Sequence, residues 1–378
     1  MSKARQLADN GAATPNRNMV INGAMNVAQR ATSVTGIGAS AGYFTCDRWA
    51  INVGGTATGG RLTMSQTADG PNGISANCIK LDCTTADTSI AADENLRLLT
   101  ILEGQNIQRI GKGVAGAKQV TVSFYVKASA AFTFGCELYD LDNVRQITKL
   151  FTTTTDWNRI ELTFPADVDD GSSPFDDDNS GSLRLHFWLH SGSNQTSGTL
   201  NSSSWANVTA ANRAVGIDSF FSSTDNNFFI TGVQLEVGSS ATPFEQEDYN
   251  TTLQKCLRYY ENNCDLGHFP VHDIAFGNTN SPFFMYGFIA DNMRMNYEYQ
   301  VEKRADPTAT FYTVTGLGNG ATENRWDFWT GNAWNQCDGA TTSSEITSKG
   351  LVIAQAEADL ETFKAYMVGG CFELDAEL

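Results

Sequence analysis

The sequence predicts an all-β chain: an antiparallel β-sandwich, jelly-roll-like, followed by a linking helix and a second, smaller β domain. Composition comes first: Gly is frequent at 34 and Pro scarce at 8, with 22 Phe, 11 Tyr and 7 Trp. Aromatics and Thr suit a pleated surface, while Gly and Asn accept the positive φ of tight turns. Second, apolar and polar residues alternate with period two over most of residues 18–237. Third, the period then changes: Leu253, Cys256, Leu257 and Tyr260 fall at i, i+3, i+4 and i+7, the stripe of an amphipathic helix. At 378 residues the chain exceeds what one core serves.

Residues 2–9 suit a short helix with Ala4, Leu7 and Ala8 on one side, stopped by Asn10-Gly11 and Pro15. So short a helix loses more to nucleation than it gains, so residues 1–15 read as a frayed tail or as an anchor peptide that orders on a partner. Residues 16–247 are assigned to the sandwich. There Val120, Val122, Phe124 and Val126 alternate with Thr121, Ser123, Tyr125 and Lys127. Ile160, Leu162 and Phe164 repeat the pattern, as do Leu183, Leu185, Phe187 and Leu189, then Val233, Leu235 and Val237. One apolar and one polar face per strand describes antiparallel sheets packed face to face, and a jelly roll is the expected topology.

The linking helix is placed within 248–263 and the second β domain at 264–378. In that domain Phe283–Ile289 and Ala309–Val314 read as strands, and Phe372, Leu374, Ala376 and Leu378 alternate to the last residue. Residues 354–366, with Ala356, Leu360 and Phe363 on one side, have the composition of a helix.

The formal net charge of −17 repels phosphate backbones and anionic lipid, so nucleic acid is not an expected partner. No apolar run follows Lys3 and Arg5 and no stretch of 18 apolar residues occurs, so neither a secretion signal nor membrane insertion is expected. Eight cysteines without a CxxC pair read as buried free thiols in a protein made in a reducing cytoplasm.

No nucleophile elbow, zincin motif or P-loop is present, and Gly36-Ile37-Gly38 and Gly316-Leu317-Gly318 are loop glycines. No pair among the carboxylates stands out for glycoside chemistry. The expectation is therefore no catalytic residue, no cofactor and no enzyme activity. His186 and His190 share a strand face, but no third ligand is placed by sequence, and His268 and His272 read the same way. The loop 167–181 carries Asp167, Asp169, Asp170, Asp176, Asp177 and Asp178. It is a calcium candidate without EF-hand spacing, or a solvated acidic loop. Trp326, Trp329 and Trp334 crowd one Gly-Asn segment with Phe328. As exposed rings they would stack on sugar; the alternative places them in a core or a subunit contact.

Two segments resemble a known family. Asn16-Arg17-Asn18-Met19-Val20-Ile21-Asn22-Gly23 through Gln29-Arg30, followed by Tyr43-Phe44-Thr45-Cys46-Asp47-Arg48-Trp49, is similar to the opening of phage tail-fibre and related virion proteins, especially of marine and cyanobacterial phages. Ile230-Thr231-Gly232-Val233-Gln234-Leu235-Glu236, Ala241-Thr242-Pro243-Phe244-Glu245 and Cys256-Leu257-Arg258-Tyr259-Tyr260 resemble the close of the same pattern. Ser2 to Asp9 looks like the family's short leader, and Phe372 to Leu378 like its terminal strand. The resemblance implies a sandwich similar to carbohydrate-binding modules, a homotrimer and a virion location, on a tail appendage before the capsid surface. It also implies contacts with other virion proteins through residues 1–15, and attachment to a host-surface glycan. The structural alternative is a capsid-decorating or connector protein. Within that frame Leu253, Leu257 and Tyr260 are the expected oligomer contact. Asn22-Gly23 suits a turn, Arg30 is expected to pair with Asp47-Arg48 at the sandwich rim, and Trp49 to point inward.

Overall fold

The structure is a computed structural model that describes residues 16–55, 59–168, 173–289, 291–315, 324–358 and 360–378. Peptide 1–15 and the loop residues Asp169 and Asp170 lie outside the described residues. The fold is mostly β, as the alternation requires, and divides into two compact units. One holds the chain up to Asn26 together with Thr32–Asp248; the other holds Val27–Ala31 and Tyr249–Leu378.

The N-terminal unit has two sheets. Six strands run in the order Ser33–Ile37, Arg61–Thr67, Cys78–Thr85, Asn227–Val237, Val120–Ala128 and Asn158–Phe164. Seven run in the order Ala206–Asn207, Arg145–Thr152, Thr133–Asp140, Gly181–Ser191, Asn95–Glu103, Ala50–Gly54 and Gly42–Tyr43. All of these pairings are antiparallel. The alternating residues of both sheets share one core: Val122, Phe124 and Val126 of one meet Leu185, Phe187 and Leu189 of the other. Phe124 sits edge-on at 5.0 Å from both Phe151 and Phe187. Burying each such ring stabilises the sandwich by about 1.5–3 kcal/mol.

The opening and closing motifs meet in one hydrogen-bonded corner. Asn18 Oδ1 accepts from the Val20 and Leu235 amides, and its Nδ2 donates to the Val233 carbonyl. Asn22, in the left-handed region at φ 56°, donates to the Asp47 carbonyl and accepts from the Asn26 amide. The buried Trp49 indole donates to the Asn22 carbonyl at 3.1 Å. A Cβ on Gly23 would lie 2.1 Å from the Val233 oxygen, so only glycine fits. These motif residues therefore build a scaffold.

In the C-terminal unit a helix, Tyr249–Leu257, precedes the strand Tyr260–Asn262, which pairs with Cys371–Asp375, itself paired with Thr308–Tyr312. A second sheet has seven antiparallel strands in the order Trp334–Gln336, Asp327–Trp329, Ala365–Gly369, Phe283–Ile289, Asn292–Glu298, Gly350–Ala356 and Thr341–Ser344. Arg30 belongs to this unit. It stacks 3.7 Å over the Tyr260 ring and pairs with Asp375 at 3.0 Å and Glu377 at 3.4 Å. Lys303 and Glu261 form a fully buried pair, with the Tyr297 hydroxyl donating to Glu261 at 2.8 Å.

Two helical expectations are corrected. The helix stops at Leu257, and Tyr260 starts a strand because its backbone pairs with Asp375. Leu257 and Tyr260, two of the three residues of the expected oligomer contact, are buried, 3% and 1% exposed. Leu253, half-buried, lines a cavity of about 170 Å³ with Gln29, Leu257 and His268. Over 354–366 no helix forms among the described residues: Gly350–Ala356 is a strand paired along its length with Asn292–Glu298. A pairing partner on each side outweighs a few tenths of a kcal/mol of helix preference per residue. The eight cysteines are free thiols, all buried but Cys264, whose Sγ lies 3.5 Å from that of Cys371.

Candidate functional site

In the C-terminal seven-stranded sheet the central strand, Phe283–Ile289, alternates in an unusual sense. Its inward positions Met285 and Gly287 are buried, whereas Phe284, Tyr286 and Phe288 stand outward, 62%, 56% and 53% exposed. Strand geometry spaces such positions about 7 Å apart on one face. Neighbouring strands extend the face. Phe284 pairs with Met367 and Tyr286 with both Ala365 and Arg294, whose guanidinium carbon lies 4.5 Å above the Phe288 ring. Phe328 pairs with Val368 on the core side, so its neighbour Trp329 shares the outward side with Met367. Trp329 pairs with Trp334, their rings 5.7 Å apart, and Phe276 packs 5.4 Å from Trp334.

The aromatic segment thus splits. Trp329 and Trp334 are half-buried on the outer face. Trp326 is 0% exposed, held by Phe283 at 5.7 Å, Phe311 at 5.7 Å and Phe372 at 6.4 Å. As a sugar platform Trp326 is corrected to a core residue: Gly370 passes so close beneath the indole that a Cβ would lie 2.1 Å from it. Phe284, Tyr286 and Phe288 were missed, although Phe283-Phe284-Met285-Tyr286-Gly287-Phe288-Ile289, apolar on both faces, was a legible signal. Beside them Phe363 is 83% exposed and held at φ 65° with its amide donating to the Gly287 carbonyl. A bulky residue in that region is strained, and strain of this kind gathers at functional surfaces.

Asp327 lies two residues from Trp329, on the same side of their strand. Burial raises Asp327 to about 6, and its Oδ1 has no hydrogen-bond partner.

Of the acidic-loop candidates, Asp167, Asp176 and Asp178 are among the described residues. Asp167 is buried in a two-pronged pair with Arg145, at 2.9 Å for each oxygen, while Asp176 and Asp178 stay exposed. No group of three His, Cys, Asp or Glu suited to a metal occurs among the described residues.

His186 and His190 belong instead to the outer face of the N-terminal seven-stranded sheet. His186 Nδ1 lies 2.7 Å from Glu137, which also accepts from Trp188 at 2.9 Å and from Arg213 through two bonds of 2.8 Å. Burial alone would raise the Glu137 carboxyl, yet Arg213 and His186 pull it down to about 2. Burial pushes His186 down to about 3, so it is neutral, donates from Nδ1 and leaves Nε2 buried without a partner. Burial likewise lowers His190 to about 4; its Nδ1 meets Ser219 at 2.8 Å. The Arg97 and Arg213 guanidinium carbons lie 4.7 Å and 5.0 Å from the centre of the Trp188 ring, and that of Arg213 lies 4.7 Å from the centre of the Tyr139 ring.

No family model matches the chain, and no curated protein does. Among solved structures it is similar to a family 4 carbohydrate-binding module, at 10% identity and a TM-score of 0.29 over 57% of this chain and 98% of that one. It is similar to the family 11 module of a Clostridium thermocellum cellulosomal cellulase, at 15% identity and a TM-score of 0.27 over 50% and 88%. A family 61 module in complex with β-1,4-galactotriose is similar at 9% identity and a TM-score of 0.28 over 59% and 100%. The fold described above rests on the strand pairings themselves.

Proposed function

We propose that this chain is a non-catalytic attachment protein of a phage virion, of tail-fibre type, which holds host-surface glycan on the outer face of its C-terminal seven-stranded sheet. The observation that carries the binding is the exposure of Phe284, Tyr286 and Phe288 on alternate positions of the central strand. Exposed large aromatics in a row are the informative exception to ordinary surfaces. Their faces suit the apolar faces of sugar rings, with Arg294 and the Trp329 and Trp334 indoles supplying polar edges. The virion setting is supported by the paired opening and closing motifs, which share one corner of the sandwich. A homotrimer would multiply weak single sites by avidity. Titrating the full chain with host-surface polysaccharide while reading tryptophan fluorescence tests the binding. A saturable change lost in Trp329→Ala/Trp334→Ala is expected; an unchanged response in that variant overturns the assignment.

The second reading is structural: the same face is a subunit contact in a decorating or connector protein. Its motivation is that Phe284, Phe288 and Ile289 carry no polar group. Static light scattering separates the two. Dissociation of an oligomer by Phe284→Ala/Phe288→Ala favours the contact, while an unaltered trimer favours the glycan.

A further inference from the structure

The outer face of the N-terminal seven-stranded sheet carries cations that the chain does not neutralise. Arg97, Arg184 and Arg213 share this face with the Glu137 carboxylate, which is committed to Arg213, His186 and Trp188. The Arg184 side chain makes no hydrogen bond or ion pair among the described residues, and its Nε is buried and unpartnered. Arg97 donates only to the neutral Asn52 side chain, and its Nε is likewise bare. Two guanidiniums without a carboxylate are unexpected where 42 acidic residues face 25 basic ones. A charge removed from water needs an opposite charge or several hydrogen bonds. The surroundings are aromatic: Arg184 is paired in register with Tyr139, and Trp188 with Arg97.

We propose that this face binds an acidic oligosaccharide, its carboxylates meeting Arg184 and Arg97 and its rings lying against the half-buried Tyr139. Guanidiniums bind carboxylate in a forked, charge-assisted geometry, and aromatic rings beside them favour a ring-bearing anion over a bare ion. Nucleic acid offers the same two features, but a chain of net charge −17 opposes one negative charge per nucleotide along a strand. A short saccharide places its few charges on the cations alone. This site shares no residue with the aromatic face of the C-terminal unit, so either stands without the other.

The test is calorimetric titration of the full chain with tri-galacturonate, with galactotriose, inorganic sulfate and a short single-stranded oligonucleotide as comparison probes. Tri-galacturonate is expected to bind at least tenfold more tightly than each of the other three, and to weaken several-fold as salt rises. Arg184→Gln should lose at least tenfold, Arg184→Lys less, and Phe284→Ala/Tyr286→Ala/Phe288→Ala nothing. Circular dichroism confirms folding, and Arg184→Lys carries the test if Arg184→Gln does not fold. Equal binding of galactotriose, binding of sulfate or oligonucleotide as tight as the trisaccharide, no binding at all, or full affinity in both Arg184 variants overturns the proposal.

Discussion

Each unit holds a seven-stranded sheet whose fourth strand carries large side chains away from the core: Arg184, His186 and Trp188 in the N-terminal unit, Phe284, Tyr286 and Phe288 in the C-terminal one. In the first, His186 and Trp188 are buried in a network of ions and hydrogen bonds around Glu137. In the second, all three rings are more than half exposed, and Phe288 has the Arg294 guanidinium over it. The difference separates two ways of using a second sheet face. A buried polar network gives rigidity and is costly to break, whereas an exposed apolar face adds little to folding and is available for binding.

The largest effects should come from breaking what is buried. Glu137→Gln removes the carboxylate from Arg213 and His186, and should destabilise the N-terminal unit by about 3–5 kcal/mol. Trp326→Ala should cost the C-terminal unit about the same, 3–5 kcal/mol, through the cavity it leaves. Hydrogen exchange resolved by unit checks both: each variant should lose protection in its own unit. Comparable losses from Phe284→Ala would erase the contrast.

Acid should separate the units next. His186 and His190 are lowered from 6.5 to about 3 and about 4. Between those values and 6.5 the unfolded chain binds protons that the fold refuses, so N-terminal stability falls as pH drops below 6.5. At about 1.4 kcal/mol per pH unit for each group, the loss is on the order of a few kcal/mol. Asp327 shifts the other way, from 3.8 to about 6, so the folded C-terminal unit binds the extra proton and loses stability as pH rises from 3.8 through 6. Asp327→Asn should accordingly stabilise that unit at pH 7 by about 1–3 kcal/mol, removing a buried charge without a hydrogen-bond partner. Thermal melts of the two variants, His186→Gln and Asp327→Asn, across pH 4–8 check the opposite signs.

Much of the fold was legible because period two is a direct imprint of the pleat. Val122, Phe124 and Val126 faced the core as their alternation required, and so did Phe372, Leu374 and Ala376. What failed was local preference set against pairing: residues 354–356 favour helix and became strand, and Tyr260 left the helical stripe for a strand partner. The candidate site was half legible. Tryptophans drew attention to residues 326–334, but whether a ring points inward or outward depends on Gly370 and on register with Val368, both distant in sequence. Arg184, His186 and Trp188 also alternate with Leu183, Leu185 and Phe187, so a strand whose outer face is not Ser or Thr was visible; its partners on other strands were not.

The smallest expected effect on stability is also the one with the largest functional consequence. Phe284→Ala, Tyr286→Ala and Phe288→Ala should each change folding by no more than about 0.5 kcal/mol, since exposed rings have little to lose. The measurement that tests the account most directly is binding of the full chain and of this triple variant to an array of bacterial surface glycans. Loss of every glycan signal that depends on the C-terminal face, with melting unchanged, is the expected result; a triple variant that keeps those signals would contradict it.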